Sequence, residues 1–367
     1  MKLKFKLLTF FFLVSFCSFA QTELAPLQLP QYNIPKLVGS GGAYTTQEAG
    51  FYTLFTNPAL FSSLKKNWNI SSFSFDRAMY EDSGELSTAL NAVGPIAFGL
   101  ANTNFAFGIF NNTKFTGSID KASDAYNLLF GEELFMTGGY GAKVFDHAGS
   151  SISLGIQMKG YFQGFTMIQN GTLNTAIADS EKPLYALIAS LLHDSPIMMT
   201  AAIGLDVGFA YTYDDFLRLG IVVRDAYTAT FSTMYANYDD FKNSKKAGDT
   251  KYRSPIPTLD FGFSLHPQLP KNYAAFTDYV FLFDFDDMLS PLKNTRPLFY
   301  NINFGMEFEF NGAYYLRCGF KEVAPTFGIG VDAGLLEMNI AFSFIQKTNK
   351  LWEKAVFNSG IDISIKL

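Results

Sequence analysis

The chain has 367 residues, a net charge of −5 and a hydrophobic fraction of 48% that includes 40 Phe and 19 Tyr. This mildly acidic balance, with no basic stripe, gives no reason to expect a nucleic-acid partner. After Ala20, no stretch approaches the ~18 apolar residues that a helix needs to cross a bilayer.

Lys2, Lys4 and Lys6 lead into an apolar run over 7–16, and Ser18-Phe19-Ala20 precedes Gln21. A basic start, a short apolar run and a small-x-small site are the parts of a secretory signal peptide over residues 1–20. The alternatives are an uncleaved anchor and a lipidated Cys17. The well-placed small residues argue against the first, and Phe16 is a poor neighbour for the second. Cleavage after Ala20 leaves Cys318 alone, so neither an internal disulfide nor a multi-thiolate metal site is expected. An exported, apolar chain without a spanning helix crosses lipid only as a closed barrel, where every backbone group finds a partner.

Residues 21–67 alternate too little for strands and are too many for a linker. Gly39, Gly41 and Gly42 permit positive φ and close backbone approach. Phe55-Thr56-Asn57-Pro58-Ala59-Leu60 contains a turn-favouring Asn-Pro. The segment reads as a compact coil wedged inside a barrel, its backbone met by polar wall residues. Phe51, Phe55, Leu60 and Phe61 either line a ligand pocket on it or fasten it to the wall.

From residue 68 the pattern has period two. Ile302, Phe304, Met306, Phe308 and Phe310 share one face, against Asn301, Asn303, Gly305, Glu307 and Glu309 on the other. Residues 336–344 and 361–367 repeat the pattern. A soluble sandwich alternates as well. Here, however, the polar face is mild, the greasy face is rich in Phe, and runs of about ten residues suit tilted membrane strands. The expected architecture is all-β: a transmembrane antiparallel barrel of about fourteen strands, an even number as single-chain bacterial barrels require. The segments are 68–76, 94–101, 103–110, 134–145, 151–162, 200–213, 216–225, 258–266, 278–286, 300–310, 313–321, 326–332, 335–345 and 357–367, the second and third being either two strands or one bent near Asn102.

Alternate connections are tight, including Asp214-Asp215, Asn311-Gly312 and Ala333-Gly334, and Asn-Gly is a favoured hairpin turn. The others are longer, notably 163–199 and 226–257, as expected of the outer side of a membrane barrel. The 267–277 link and the 322–325 turn depart from this rule. Within the first long loop Leu184, Leu187, Ile188, Leu191 and Leu192 recur at helical spacing. They predict a short helix over the barrel mouth, either a simple lid or a capture surface. The second loop is polar and is expected to be solvated or mobile.

His147, His193 and His266 have no partner at metal spacing, and Gly-x-Ser-x-Gly is absent, so neither a cofactor nor catalysis is expected. Lys159, Arg218, Arg224, Arg317 and Lys321 fall on lumen-facing positions. They either receive a carboxylate ligand or pair with Asp206, Asp260, Glu307, Glu309 and Asp332, as buried charges normally do.

Gly41-Gly42-Ala43-Tyr44 and Phe55-Thr56-Asn57-Pro58-Ala59, placed between a signal peptide and the first strand, resemble the FadL-like family of long-chain fatty-acid and hydrophobic-compound transporters. The resemblance implies a fourteen-stranded barrel over 68–367 plugged by an N-terminal hatch over 21–67. Gly39, Gly41, Gly42, Phe55, Asn57, Pro58 and Ala59 would then form the gate. It further implies a bacterial outer-membrane location, where surrounding lipid and a hydrophobic small molecule are the partners and uptake is passive. The alternative within the same fold is a protein-interaction or secretion-shuttle module acting through the outer loops. The terminal Gly360-x-x-Ile363-x-Ile365 resembles the assembly signal of such barrels, although Leu367 stands where many end in an aromatic.

Overall fold

The computed structural model describes residues 34–82, 85–120, 125–168, 190, 193–268, 276–290, 297–346 and 355–366. The expected signal peptide, the first part of the N-terminal segment, the Leu184–Leu192 helical pattern and most of the 267–277 link lie outside these residues.

The described strands form one antiparallel sheet: β1 (Asn67–Asp82), β2 (Glu85–Asn102), β3 (Phe105–Asp120), β4 (Ala125–His147), β5 (Ser150–Ile168), β6 (Ile197–Tyr213), β7 (Leu217–Tyr235), β8 (Lys251–Arg253), β9 (Thr258–Leu265), β10 (Phe276–Phe285), β11 (Ile302–Phe310), β12 (Tyr314–Lys321), β13 (Ala324–Asp332), β14 (Leu336–Gln346) and β15 (Ala355–Lys366). Each staff of the barrel pairs with its sequence neighbour, and β1 pairs with β15 from Asn69↔Lys366 to Met79↔Phe357, which closes the ring. The three-residue β8 only extends the sheet beside the outer half of β7, at Thr230↔Arg253, while β9 takes the inner half, at Leu217↔Leu265. Fourteen strands therefore make the barrel, and the second and third are separate, joined at Thr103-Asn104.

Alternation is inside out relative to a soluble sandwich. Along β5, Leu154, Ile156, Met158 and Phe162 are about half exposed, whereas Ser153, Gln157 and Gln163 between them are buried. On β14 and β15, Met338, Phe342, Ile363 and Ile365 face outward, while Glu337, Asn339, Asp362 and Ser364 are buried. A closed sheet with a greasy exterior and a polar interior satisfies its backbone internally and presents hydrocarbon-compatible side chains to its surroundings. No helix among the described residues is long and apolar enough to span a membrane.

The first strands run further than their sequence pattern. β1 to β7 are 16 to 23 residues long, so most of 77–93 and 111–133 is strand rather than loop. The long connections shrink to 169–196 and 236–257, the latter starting with a short helix, α2, at Tyr238–Lys242. On these outer extensions the outward face is mixed: Asn111 and Thr113 of β3 bond Glu132 of β4 at 3.1 and 2.6 Å in exposed positions, while Phe130 and Phe231 are exposed as well. Backbone pairing continues where the hydrophobic period has stopped, so a period search ends each strand too early.

The tight turns are where the residues predicted them. Asn311-Gly312 has φ of 51° and 69°, and Ala148-Gly149 has 50° and 78°. Glu322-Val323, at 51° and 63°, places a β-branched residue in the left-handed region, where its side chain is strained. Val323→Gly is expected to stabilise the folded barrel by ~1 kcal/mol, read as a higher urea midpoint of unfolding; an unchanged or lower midpoint would show that Val323 is not strained.

Residues 34–64 are folded as a short helix, α1 (Pro35–Gly39), and two 3-10 turns, Gly50–Phe55 and Pro58–Ser63. The helix packs against β12 to β15, the first turn against β1 to β3, and the second against β3 to β6. Thr45, between them, approaches β7, β9 and β10 at Gly220, Gly262 and Asp284. A buried segment that touches strands all round a closed ring lies within that ring.

Candidate functional site

The segment reaches the wall because the wall has glycine where they meet. A Cβ on Gly155 would stand 2.2 Å from the Pro58 carbonyl carbon, one on Gly208 2.1 Å from Asn57 Oδ1, and one on Gly305 2.0 Å from the Ser40 oxygen. Gly319 and Gly328 make the same allowance for Gly41 and Gly39. These strand glycines were absent from the sequence-predicted site. Their signal was present: each occupies a polar-face position inside a strand, where glycine otherwise weakens the ladder.

Hydrogen bonds then fix the register. Asn57 is fully buried; its Oδ1 accepts from Ala59 N at 3.0 Å, and its Nδ2 donates to Thr45 O at 3.1 Å and to Phe209 O on β6 at 3.0 Å. Pro58 follows as the first residue of its turn, where a missing N–H costs nothing. Gly41 and Gly42 adopt φ of 76° and 69°. Gly41 N donates to Thr326 Oγ1 at 3.1 Å, and that hydroxyl donates onward to Gly39 O at 3.2 Å. Asp284 Oδ2 accepts Tyr44 N, Thr45 N and Thr45 Oγ1, each at 2.7 Å. Tyr52 donates to Asp362 at 2.5 Å, and Gln157 Nε2 donates to Leu54 O at 2.7 Å.

The sequence-predicted cations face the lumen and are paired there. Lys159 Nζ lies 2.9 Å from Asp206 and 2.8 Å from Asp225. Arg224 Nε bonds Asp260 at 2.6 Å, and its other nitrogens donate to Phe55 O and Thr56 O at 3.3 and 3.1 Å. Arg218 joins Glu48 at 2.7 Å and Thr46 O at 3.1 Å. Arg317 bonds Glu307 and, at 2.7 Å, Asn339, and Lys321 lies along Gly42. A bulge makes the Lys159 cluster possible. Between Leu205↔Tyr227 and Val207↔Val223, residues 224–226 of β7 oppose Asp206 alone, and such an insertion re-aims side chains. With Asp225 at φ 53°, both Arg224 and Asp225 reach the interior. Two of these cations thus clasp residues 46–56 directly.

The apolar candidates fasten more than they line. Phe51, Leu60 and Phe61 are buried against the wall, Phe61 over Gly139 and Gly141. Phe55 is half-buried, its ring 4.9 Å from Phe110 and 6.1 Å from Phe135.

Further out, Phe130, Gly164, Phe165, Thr166, His193, Ile197 and Tyr238 line a mainly apolar pocket of about 380 Å³. His193 bridges the two long connections, with Nδ1 2.9 Å from Asp194 and Nε2 3.5 Å from Asp239 on α2. The hydrogen bond to Asp194, helped by Asp239, raises its pKa above the ordinary value. A raised pKa means the contact is fully present below the ordinary imidazole value of about 6.5 and is lost as pH rises through the higher folded-state value. Amide exchange in 238–242 is therefore expected to speed up above pH ~6.5 more than alkaline catalysis alone accounts for, and His193→Gln to remove that excess; an excess that persists in the variant would exclude the bridge.

Neither a protein-family model nor a curated protein matches the sequence. Among solved structures the chain is similar to the Ralstonia pickettii toluene transporter TbuX, with a TM-score of 0.50 and 14% identity over 91% of this chain and 97% of that one. It also aligns with the monoaromatic hydrocarbon channel CymD (TM-score 0.45, 13% identity, 92% and 98% covered) and a Pseudomonas aeruginosa FadL homologue (0.44, 11%, 93% and 99%). A fourteen-stranded ring, greasy outside and occupied inside by its own N-terminal segment, gives this chain a FadL-like fold.

Proposed function

We propose that the protein is a bacterial outer-membrane channel for passive uptake of hydrophobic small molecules, with residues 34–64 as its gate. One observation carries this reading: the lumen is closed by a segment held through hydrogen bonds and ion pairs, which can exchange for water, rather than by a continuous apolar core. Ligand enters at the outer end of the lumen and advances when the stretch around Asn57-Pro58-Ala59 shifts. The pairing of Lys159, Arg218, Arg224 and Arg317 favours neutral ligands over fatty acids, because a carboxylate must break an existing pair to be received. A lateral exit at β2 is supported by its ladders, which break at one level: the β1 pairing jumps from Asn69 to Ser74 and the β3 pairing from Val93 to Ala97.

The test is uptake of radiolabelled toluene and oleate by cells that make the protein, compared with cells that do not. Faster entry of toluene, with a smaller gain for oleate, is expected; equal entry in both cell types for both compounds would overturn the reading.

A further inference from the structure

The inner wall of β3 to β6 is layered. Cross-strand pairing aligns Phe110, Phe135, Tyr161 and Ala202 in one row. The next row outward is Asn112, Glu133, Gln163 and Thr200, and the one beyond it Lys114, Gly131, Phe165 and Met198. The middle row is polar between two largely apolar ones, and Asn112, Glu133 and Gln163 are each only 1% exposed.

Thr200 is satisfied by Ser232 at 3.1 Å. Among the described residues, its three row-mates each leave one buried atom without a partner: Asn112 Oδ1, Glu133 Oε1 and Gln163 Nε2. The bonds they do make lie among themselves and with Lys114: Asn112 Nδ2 donates to Glu133 Oε2 at 3.2 Å, and Lys114 Nζ lies 3.7 Å from the same oxygen. Buried polar groups are nearly always paired, so three unpaired atoms on adjacent strands at one level call for a partner. A hydroxyl meets two of the three atoms at once: it gives its one hydrogen to an acceptor, Glu133 Oε1 or Asn112 Oδ1, and receives one from Gln163 Nε2. Below the row the rings of Phe110 and Phe135 are buried beneath Phe55 of the N-terminal segment, which is itself part-exposed, so a ligand ring reaches them by taking the place of Phe55. Above it Phe165 links the row to the outer pocket, which it lines, while its ring lies where a Cβ on Gly131 would stand 2.2 Å away.

We infer that Asn112, Glu133 and Gln163 form a subsite for the hydroxyl of a neutral aromatic alcohol, of the phenol class, whose ring takes the place of Phe55 against Phe110 and Phe135 when the N-terminal segment shifts. The inference deepens the proposed channel and rests on it. The hydroxyl donates to Glu133 Oε1 or Asn112 Oδ1 and accepts from Gln163 Nε2. The Glu133 carboxylate turns away anionic ligands, and Lys114 already balances it.

The matched pair p-cresol and toluene, which differ by that hydroxyl, tests the assignment on the purified full-length protein in detergent by titration calorimetry. The wild type is expected to bind p-cresol about tenfold more tightly than toluene, as a site built to hydrogen-bond a hydroxyl discriminates against its absence. Gln163→Met and Asn112→Leu should bring the two affinities together with toluene binding unchanged, in protein whose heat-modifiable migration on gels confirms a folded barrel. Equal affinities in the wild type, or a preference that survives in both variants, overturns the subsite while leaving the channel standing. Binding of neither compound, together with no toluene entry into cells, overturns both.

Discussion

Asn57→Ala is expected to free residues 45–63 from the wall and to raise the entry of neutral hydrophobic dyes several-fold in cells that make the variant. The carboxamide serves three backbone groups at once: Ala59 N, Thr45 O and Phe209 O. Alanine removes all three bonds, and only water admitted from the lumen can replace them. At about 1 kcal/mol net for each bond, the docked state loses about 3 kcal/mol relative to the undocked one. The β5 and β6 strands behind it pair regularly from Ser150↔Tyr213 to Thr166↔Ile197 without help from Asn57, so the barrel itself should still fold and insert. Asn57→Asp separates hydrogen bonding from bulk: it keeps the acceptor for Ala59 N but sets a carboxylate against two carbonyl oxygens, and should leak at least as much. Dye entry equal to wild type in folded Asn57→Ala protein would mean that the segment is not held there, and the gating proposal would lose its hinge.

Much of the barrel was legible in the residues, and the reason is physical. On β11, β14 and β15 the lipid-facing residues are Phe, Met, Ile and Leu, against Asn, Glu, Asp and Ser inside, so the period-two signal is clean. At Asn311-Gly312 the turn chemistry is equally direct. Where the outward face turns polar, as at Asn111, Thr113 and Glu132, hydrophobic periodicity fades, and the outer parts of β1 to β5 and β7 were read as loops, whereas β6 was read almost in full. The segment ahead of the first strand announced itself by its glycines and Asn-Pro, and the lumen-facing cations by their place on the polar face. Asp206, Asp260 and Glu307, read as their partners, do pair with Lys159, Arg224 and Arg317, but other partners left no trace. Glu48 for Arg218 and Glu337 for Lys36 are joined across 170 to 301 residues of chain, and nothing local in the sequence records such a pairing (Arg218 also bonds Thr46, 172 residues away). The bulge that turns Arg224 and Asp225 inward was equally hidden, since one unpaired stretch within an otherwise regular strand changes no composition. The wall glycines were the avoidable miss: glycine at successive inward positions marks where another backbone comes close.

Gly41→Ala tests that close approach from the plug side. Two separate costs fall on the added methyl group. Its backbone sits at φ 76°, in the left-handed region where an L-residue is strained by ~1 kcal/mol or more. The new Cβ would also stand 2.0 Å from the Phe304 carbonyl oxygen and 2.7 Å from its carbon, and both belong to the β11 ladder, whose partners on β10 and β12 leave it nowhere to move. Overpacking of this kind typically costs ~1–3 kcal/mol, so the combined penalty on docking is ~2–4 kcal/mol or more. The turn must therefore back away from β11, breaking the Gly41 N to Thr326 Oγ1 bond and loosening the Tyr44 and Thr45 bonds to Asp284. Limited proteolysis of folded barrels should then cut within 34–64 in Gly41→Ala protein but not in wild type, and dye entry should rise as it does for Asn57→Ala. Gly42→Ala is the useful contrast: it shares the positive φ but would meet only the flexible side chain of Lys321, at 3.1 Å, so its effect should be clearly smaller. If the two variants behaved alike, backbone strain alone would account for both, and contact with the β11 backbone would not be what seats the plug.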